Sequence, residues 1–238
     1  MDIKEEGLIK GDIARHWYYR AKLAAMRRLI GPAPVRALLD VGAGLGFYAR
    51  ALLRDTPLSQ AVCIDPGYPA DREEVVAGKP LLFRRHLEAS PADLVLMMDV
   101  LEHVPDDVAL AREYVGMVAS GTRFVVTVPA FMWLWSGHDV FLEHFRRYAL
   151  AEIERTLVAA GLRIERGCYF YGALLPLVAA TRLAGRLRPS RDAEAASQMR
   201  EFGPLLNAAF WSVCRAELPL FRFNRLAGLT AMVCAVKP

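Results

Sequence analysis

The stretch Ala37-Leu38-Leu39-Asp40-Val41-Gly42-Ala43-Gly44-Leu45-Gly46 decides the fold. Apolar residues lead into an acid, glycines follow at alternate positions, and residues 47–53, FYARALL, predict the start of a helix. Glycines let the backbone turn sharply and let a ligand approach it closely, and a helix start offers free N–H groups. Asp40 would repel a pyrophosphate but suits a ligand that carries an ammonium or sulfonium group. The stretch therefore predicts a strand, a ligand-binding turn and a helix.

Two further apolar runs follow the glycine stretch, and each ends in an acidic residue. Residues 60–65, QAVCID, place Asp65 about 20 residues past the glycines, where a doubly wound nucleotide fold carries its ribose-binding carboxylate. Residues 93–99, DLVLMMD, are typical of a central parallel strand and continue into the sequence DVLEHVPD at 99–106. Because open α/β sheets bind ligands at the carboxyl ends of their strands, we expect these motifs to meet at one edge.

The glycine turn, Asp65 and DVLEHVPD together resemble the class I S-adenosylmethionine-dependent methyltransferases. The aromatic cluster His16-Trp17-Tyr18-Tyr19-Arg20 is similar to the opening of one bacterial branch, with small-molecule or lipid-linked acceptors. The resemblance covers residues 36–165, the opening helix and the last strand. It implies an α/β fold: a seven-stranded, mostly parallel, Rossmann-like sheet with helices on both faces and an antiparallel last strand.

The chain order predicts a single methyltransferase domain over residues 1–238. An N-terminal capping helix occupies 1–35, with the helix itself at 10–30 and Asp12 as its N-cap. Strands are predicted at 36–41, 60–65, 81–83, 93–99, 121–129, 162–169 and 228–236. A helical insertion, 170–227, precedes the last strand, with helices at 172–187 and around 206–214 and a loop at 188–201.

The resemblance implies an S-adenosylmethionine site at the carboxyl ends of the first, second and fourth strands. Asp40 and the backbone of Gly42–Gly46 would hold the methionine end, and Asp65 would accept hydrogen bonds from the ribose. The family often carries an adenine-binding Asp after the third strand, but this chain has His86 or Leu87 there. The predicted cofactor residues are Asp40, Gly42, Ala43, Gly44, Gly46, Asp65, Pro66, His86, Leu87, Asp99, Val100 and Leu101.

The connection at residues 130–148, AFMWLWSGHDVFLEHFRRY, lies where this fold usually builds its acceptor pocket. If the acceptor arrives protonated, an imidazole suits proton removal, so His138 and His144 are the candidate catalytic residues. We favour His138, since Gly137 and Asp139 mark a turn that can aim it, whereas His144 is expected inside a helix. An acceptor that needs no base stays open. The predicted substrate-binding residues are Tyr19, Arg20, His103, Trp133 and Trp135.

Asp99, Glu102 and His103 are residue types that bind metals, but we expect no metal there. The D-x-x-E-H sequence occurs throughout the resembled family without one. Glu102 and His103 are instead expected to form a hydrogen-bonded structural corner.

Composition limits the kinds of partner and the location that we expect for this protein. The 238-residue chain is 24% charged and 54% apolar with a net charge of +4, which gives little support for a nucleic-acid substrate. The cysteines have apolar neighbours and are expected to be buried thiols. The sequence shows neither a signal peptide nor a membrane-spanning run, so we expect a cytoplasmic protein, a monomer or homodimer. The apolar and basic stretch 169–191 fits two roles, which both stay open: contact with an anionic membrane or lipid-linked acceptor, or a pocket lid buried within the protein or a dimer.

Two other functions stay open. The chain could be a non-catalytic scaffold subunit that binds S-adenosylmethionine. A nicotinamide-dependent oxidoreductase would share Gly42, Gly44 and Asp65, although the G-x-G-x-G spacing and Asp40 count against it.

Overall fold

The computed structural model describes residues 13–32, 34–187 and 202–238. Its strands form one eight-stranded sheet in the order β3-β4-β2-β1-β5-β6-β8-β7. Neighbours from β4 to β6 run parallel, and β3, β7 and β8 pair antiparallel. The strands are β1 (Ala37–Val41), β2 (Gln60–Ile64), β3 (Arg72–Val76), β4 (Lys79–Arg84), β5 (Leu94–Met98), β6 (Arg123–Pro129), β7 (Arg163–Phe170) and β8 (Thr230–Val236). The mostly parallel α/β fold is confirmed.

Helices cover both faces of the sheet, which separates two apolar cores. One core packs residues of the first, second and last helices against the sheet, and the other packs residues of the third and fifth helices against the opposite face. The helices are α1 (Trp17–Ile30), α2 (Phe47–Asp55), α3 (Asp107–Met117), α4 (Gly137–Phe141), α5 (Leu150–Ala159), α6 (Leu175–Leu187) and α7 (Pro204–Glu217). Asp106 caps α3 by accepting from the Ala109 amide.

The prediction of seven strands was wrong by one, because it missed β3. This strand forms a hairpin with β4 through a turn in which Ala77 and Gly78 both have positive φ, as tight hairpin turns require. The strand reads Arg72-Glu73-Glu74-Val75-Val76 and is largely exposed. An edge strand of this kind buries little apolar surface, so it lacks the alternation by which strands are recognised.

The last strand follows the prediction. β8 runs antiparallel between β6 and β7, and its first six residues are buried. The described parts of the preceding segment, residues 170–187 and 202–227, lie between β7 and β8 in the chain.

The N-terminal helix is shorter than predicted and packs on the insertion. α1 begins at Trp17, with His16 as the N-cap whose side chain accepts from the Tyr18 amide. The predicted cap, Asp12, and the predicted loop 188–201 lie outside the described residues. The Trp17 amide donates to Asn207 of α7 at 2.9 Å, and the Tyr171 hydroxyl donates to the Tyr18 carbonyl at 2.6 Å. The two segments therefore form one cover over the sheet.

The described helices include none with the length and apolarity needed to cross a membrane. Cys63, Cys168, Cys214 and Cys234 are free and buried, as predicted.

Candidate functional site

A cavity of about 670 Å³ opens at the carboxyl ends of β1, β2, β5 and β6. Its volume is within the range of small-molecule and cofactor sites, and its position is the one that open α/β sheets use for ligands. Nine of the predicted site residues line it: Tyr19, Gly42, Asp65, Pro66, Asp99, Val100, His103, His138 and His144.

The glycine turn is built for close approach. Gly42, Gly44 and Gly46 have φ values of 60°, 51° and 70°, the left-handed region that favours glycine. A Cβ atom at Gly42 would lie 2.8 Å from a methyl carbon of Val100, so no other residue fits without displacement. The turn therefore brings backbone atoms to the cavity wall and starts α2 directly behind it.

Asp65 is fixed beside this turn. Its Oδ2 accepts from the Gly44 amide at 3.1 Å and its Oδ1 from the Gly67 amide at 2.9 Å. Tyr68 supports the same turn by donating its hydroxyl to the Gly44 carbonyl at 2.6 Å. A carboxylate oxygen can accept more than one hydrogen bond, so Asp65 keeps acceptor capacity toward the cavity that it lines.

Asp40 lies behind the turn rather than on the cavity wall. It is 1% exposed, and within the described parts of the chain its Oδ2 has no hydrogen-bond partner. Burial raises the pKa of Asp40 to about 7. A buried carboxyl oxygen without a partner is costly, and a cationic ligand group near the turn would favour its charged form.

An ion pair that sequence reasoning missed closes the floor of the cavity. Lys22 of α1 is completely buried and donates both to the Asp99 carboxylate and to the Tyr18 hydroxyl, the latter at 3.0 Å. Burial is the largest single effect and would lower the pKa of Lys22, but the charge and hydrogen bond of Asp99, with smaller contributions from Tyr48 and Glu102, together outweigh it and the pKa is raised. Burial likewise opposes ionisation of Asp99, yet Lys22 and the Thr127 hydroxyl hold its pKa below the usual value.

Asp139 organises the connection after β6. It is completely buried and accepts from Arg147 Nε at 2.6 Å, from the Ser136 amide at 2.8 Å and from His144 Nδ1 at 3.0 Å. Burial would raise the pKa of Asp139, but the His144 and Arg147 hydrogen bonds hold it well below the usual range. Asp139 is thus a charged anchor for one imidazole and one guanidinium of the cavity wall.

His144 is not in a helix, which corrects the prediction. α4 ends at Phe141, and Glu143 adopts a positive φ of 57°, which breaks the helical path. The His144 amide then donates to the Asp139 carbonyl at 2.9 Å, so backbone and side chain of His144 both return to Asp139.

His138 lies in the first turn of α4 and lines the cavity. Burial lowers the pKa of His138 to about 4, with Arg147 and Arg182 acting in the same direction. Its imidazole is therefore neutral near pH 7.

The expectation of a hydrogen-bonded corner at Glu102 and His103 was wrong for Glu102. The Glu102 side chain is completely buried, and neither of its carboxylate oxygens has a hydrogen-bond partner in the described residues. Burial and the nearby Asp99 charge hold the pKa of Glu102 well above its usual value. The His103 ring instead packs edge-on against His144, with centroids 4.6 Å apart.

Several predicted residues do not reach the cavity. Arg20 is exposed and its guanidinium lies 4.0 Å over the Trp211 ring, where it joins α1 to α7. Trp133 is 48% exposed and borders a separate, smaller cavity beside α6. His86 follows the end of β4 and is exposed. The remaining ones, Ala43, Gly44, Gly46, Leu87, Leu101 and Trp135, are also outside the lining.

Other lining residues were not predicted. Tyr114 and Leu110 project from α3 beside the Asp65 end, and Tyr48 comes from α2. They read in sequence as ordinary core positions, because helical spacing does not tell a residue that faces a cavity from one that faces a neighbouring element. The opposite end also receives Arg147, Val178 and Arg182.

Comparison with known proteins agrees with this architecture. Residues 14–166 match the family described as "Methyltransferase domain". The chain belongs to this methyltransferase family. Its cofactor is accordingly S-adenosylmethionine, and the glycine cradle, Asp65 and the unpartnered Asp40 oxygen in the described structure fit that molecule.

Similar proteins have been found by sequence and by structure. An uncharacterized methyltransferase of Mycobacterium sp. (strain JLS) is 31% identical over 120 residues, 46% of this chain and 45% of that protein. One of Mycobacterium bovis (strain BCG / Pasteur 1173P2) is 28% identical over 149 residues, 54% and 56% of the two chains. The chain thus spans about half the length of these curated relatives.

Among solved structures, the cyclase SpnF superposes with a TM-score of 0.56 at 17% identity, over 98% of this chain and 86% of that one. Phosphoethanolamine N-methyltransferase 2 of Haemonchus contortus, in complex with S-adenosyl-L-methionine, superposes with a TM-score of 0.54 at 16% identity, over 92% of this chain and 52% of that one. At these identities the likeness shows the fold alone.

Proposed function

We propose that this methyltransferase transfers the methyl group of S-adenosylmethionine to a small-molecule or lipid-linked acceptor. The observation that carries the proposal is one continuous cavity. Gly42 and Asp65 line one end, and His138, Arg147 and Arg182 line the other. A site with two chemically different ends suits two reactants held side by side, and alignment of reactants is a large part of catalysis for such a transfer.

The motif end would hold the cofactor. Asp65 would accept hydrogen bonds from the ribose, the glycine turn would receive the methionine end, and Asp99 and Val100 would lie near the sulfonium. Bound S-adenosylmethionine supplies an electrophilic methyl carbon. Trp17, Tyr18 and Tyr171 form an aromatic cluster on the cavity wall, joined to Lys22 through the Tyr18 hydroxyl, and would exclude water from the reacting atoms.

The acceptor end would be formed by the β6–α5 connection and α6. His138 lines it with a neutral imidazole, which can accept a proton from an acceptor hydroxyl or ammonium group. Its low pKa makes it a weak base, so we infer that it contributes orientation and a modest share of proton transfer.

A lipid-linked acceptor is supported by the outer surface of α6. Leu177 and Leu183 are 54% and 60% exposed, while Val178 and Arg182 on the same helix line the cavity. A helix that presents apolar residues outward and cavity residues inward is suited to lie at a lipid surface beside the acceptor entrance. Arg188 and Arg191, which contributed to this prediction, lie outside the described residues.

The test is a methyl-transfer assay with labelled S-adenosylmethionine and fractionated acceptors, one set water-soluble and one set lipid-extracted. We expect the wild type to transfer label to a product of one set, and we expect Asp65→Ala to transfer less label to that same product. A protein that binds the cofactor but transfers no label to either set would contradict the proposal and favour the scaffold function.

A further inference from the structure

Glu102 poses an energetic problem that methyl transfer does not explain. Its carboxyl group is completely buried and makes no side-chain hydrogen bond to any described residue. The position is fixed, because the Phe145 amide donates to the Glu102 carbonyl at 2.7 Å. Buried polar groups are nearly always satisfied, and one that is not carries a penalty of roughly 1–3 kcal/mol or more. A partner that is not part of the chain would remove this penalty.

Two imidazoles share the location. Ligand atoms of Glu102, His103 and His144 all lie within 4.8 Å of one another. Zinc–nitrogen and zinc–oxygen bonds are about 2.0–2.2 Å and zinc sites are tetrahedral, so ligand atoms on one ion lie about 3.4 Å apart. Side-chain shifts of less than about 1 Å would bring all three atoms onto a common centre.

The surroundings of His144 match those of a metal ligand. Its Nδ1 faces the Asp139 carboxylate at 3.0 Å, which leaves Nε2 to coordinate. Metal-bound histidines commonly donate their other ring nitrogen to a carboxylate, which fixes the tautomer and ring orientation. Asp139 is itself held by Arg147 and Ser136, so this support is rigid.

We propose that Glu102, His103 and His144 bind one divalent transition-metal ion, with Zn²⁺ as the preferred type. Two imidazoles and one carboxylate suit Zn²⁺ and its first-row neighbours better than Mg²⁺ or Ca²⁺, which prefer oxygen ligands. Asp99 does not belong to the set, since Lys22 and Thr127 hold its carboxylate.

The ion would face the reactants. All three ligands line the cavity, and a site with three protein ligands keeps a coordination position open. That position would take an oxygen atom of the acceptor, which points to an oxygen-bearing acceptor group. This consequence rests on the proposed function, whereas metal binding itself does not.

The experiment is calorimetric titration of Zn²⁺ into the chelator-treated full chain, with Co²⁺ absorption in the visible region as a report on the ligand set. We expect binding of one ion per chain. Glu102→Gln should weaken it by more than the roughly 10- to 100-fold that loss of an outer-shell partner costs. His86→Ala is the matched control, because His86 is exposed and outside the cavity. It should leave the titration unchanged.

Equal weakening by His86→Ala, or no saturable binding by the wild type, would overturn the proposal. If Glu102→Gln does not fold, as judged by circular dichroism, His103→Gln and the wild-type Co²⁺ spectrum carry the test. S-adenosylhomocysteine is titrated into the same samples. Cofactor binding without metal binding would refute the metal site and leave the proposed function intact. Metal binding without cofactor binding would support the metal site and contradict the proposed function.

Discussion

His138 and His144 come from one short connection, yet the structure gives them different surroundings. The His144 ring contacts the charged Asp139 carboxylate, while His138 is half-buried, lies near two arginines and has a pKa of about 4. In the sequence, the two histidines are distinguished only by Gly137 and Asp139, the turn residues that flank His138. The distinction arises because Asp139 points its carboxylate away from its neighbour in sequence and toward a residue beyond α4.

Replacing His138 by alanine should lower kcat by about 10²-fold or less. General bases typically contribute about 10²–10⁴-fold, and a base of low pKa is weak. The wild-type imidazole acts in its neutral form, so kcat should stay level from pH 8 down to about pH 6 and fall as the pH approaches 4. The measurement is a kcat–pH profile, with exposed His86→Ala as control. An unchanged kcat at every pH would show that the acceptor needs no base.

At the scale of elements, the sequence was informative wherever the elements are apolar and regular. β1, β2, β5 and β6 follow from buried runs, and the turn after β1 from its glycines. The missed hairpin strand β3 is polar and exposed, and the unpredicted turn at Glu143 needs a left-handed non-glycine residue. The Lys22–Asp99 pair joins residues far apart in sequence, so no spacing rule could reveal it.

That pair gives the prediction for α1. Lys22→Met should destabilise the fold by about 1.5–3 kcal/mol, since Asp99, which is 33% exposed and keeps the Thr127 hydrogen bond, loses its charged partner. Lys22→Met/Asp99→Asn should recover part of the loss. Denaturant unfolding at pH 7 measures both. Lys79→Met is the control, because Lys79 donates to the Leu53 and Thr56 carbonyls rather than to a carboxylate.

The pH dependence follows from the lowered pKa of Asp99. Its contribution is fully present above the unfolded value near 3.9 and is lost as the pH falls through the folded pKa. The difference between wild type and Lys22→Met should therefore vanish only at strongly acid pH, below the folded pKa of Asp99 in the wild type. A difference that vanishes already at pH 6 would mean that the pair is not what stabilises α1.

At the scale of the whole molecule, the insertion and the N-terminal helix cover the cavity together. Trp17, Tyr18 and Tyr171 meet there, and Arg20 over Trp211 fastens α1 to α7. That residues 1–238 act as one domain stays a prediction, as does the monomeric or dimeric state. Peripheral membrane contact is a further prediction, and it concerns the exposed leucines of α6.

The chain should co-sediment with anionic phospholipid vesicles at low salt and less so at high salt. Leu177→Glu/Leu183→Glu should abolish this binding. Val158→Glu, which changes a 56% exposed valine on α5, should not. Equal sedimentation of wild type and the double variant would assign α6 to a cover for the cavity instead.

The central claim is that the glycine turn and Asp65 bind S-adenosylmethionine, and calorimetric titration of this cofactor tests it most directly. Losing the charged acceptor costs about 1.5–3 kcal/mol, so Asp65→Ala should weaken binding by roughly ten-fold or more. Asp71→Ala, at an exposed carboxylate outside the cavity, should bind as the wild type does. A folded Asp65→Ala variant with unchanged affinity, or a wild-type chain that does not bind the cofactor, would contradict the account.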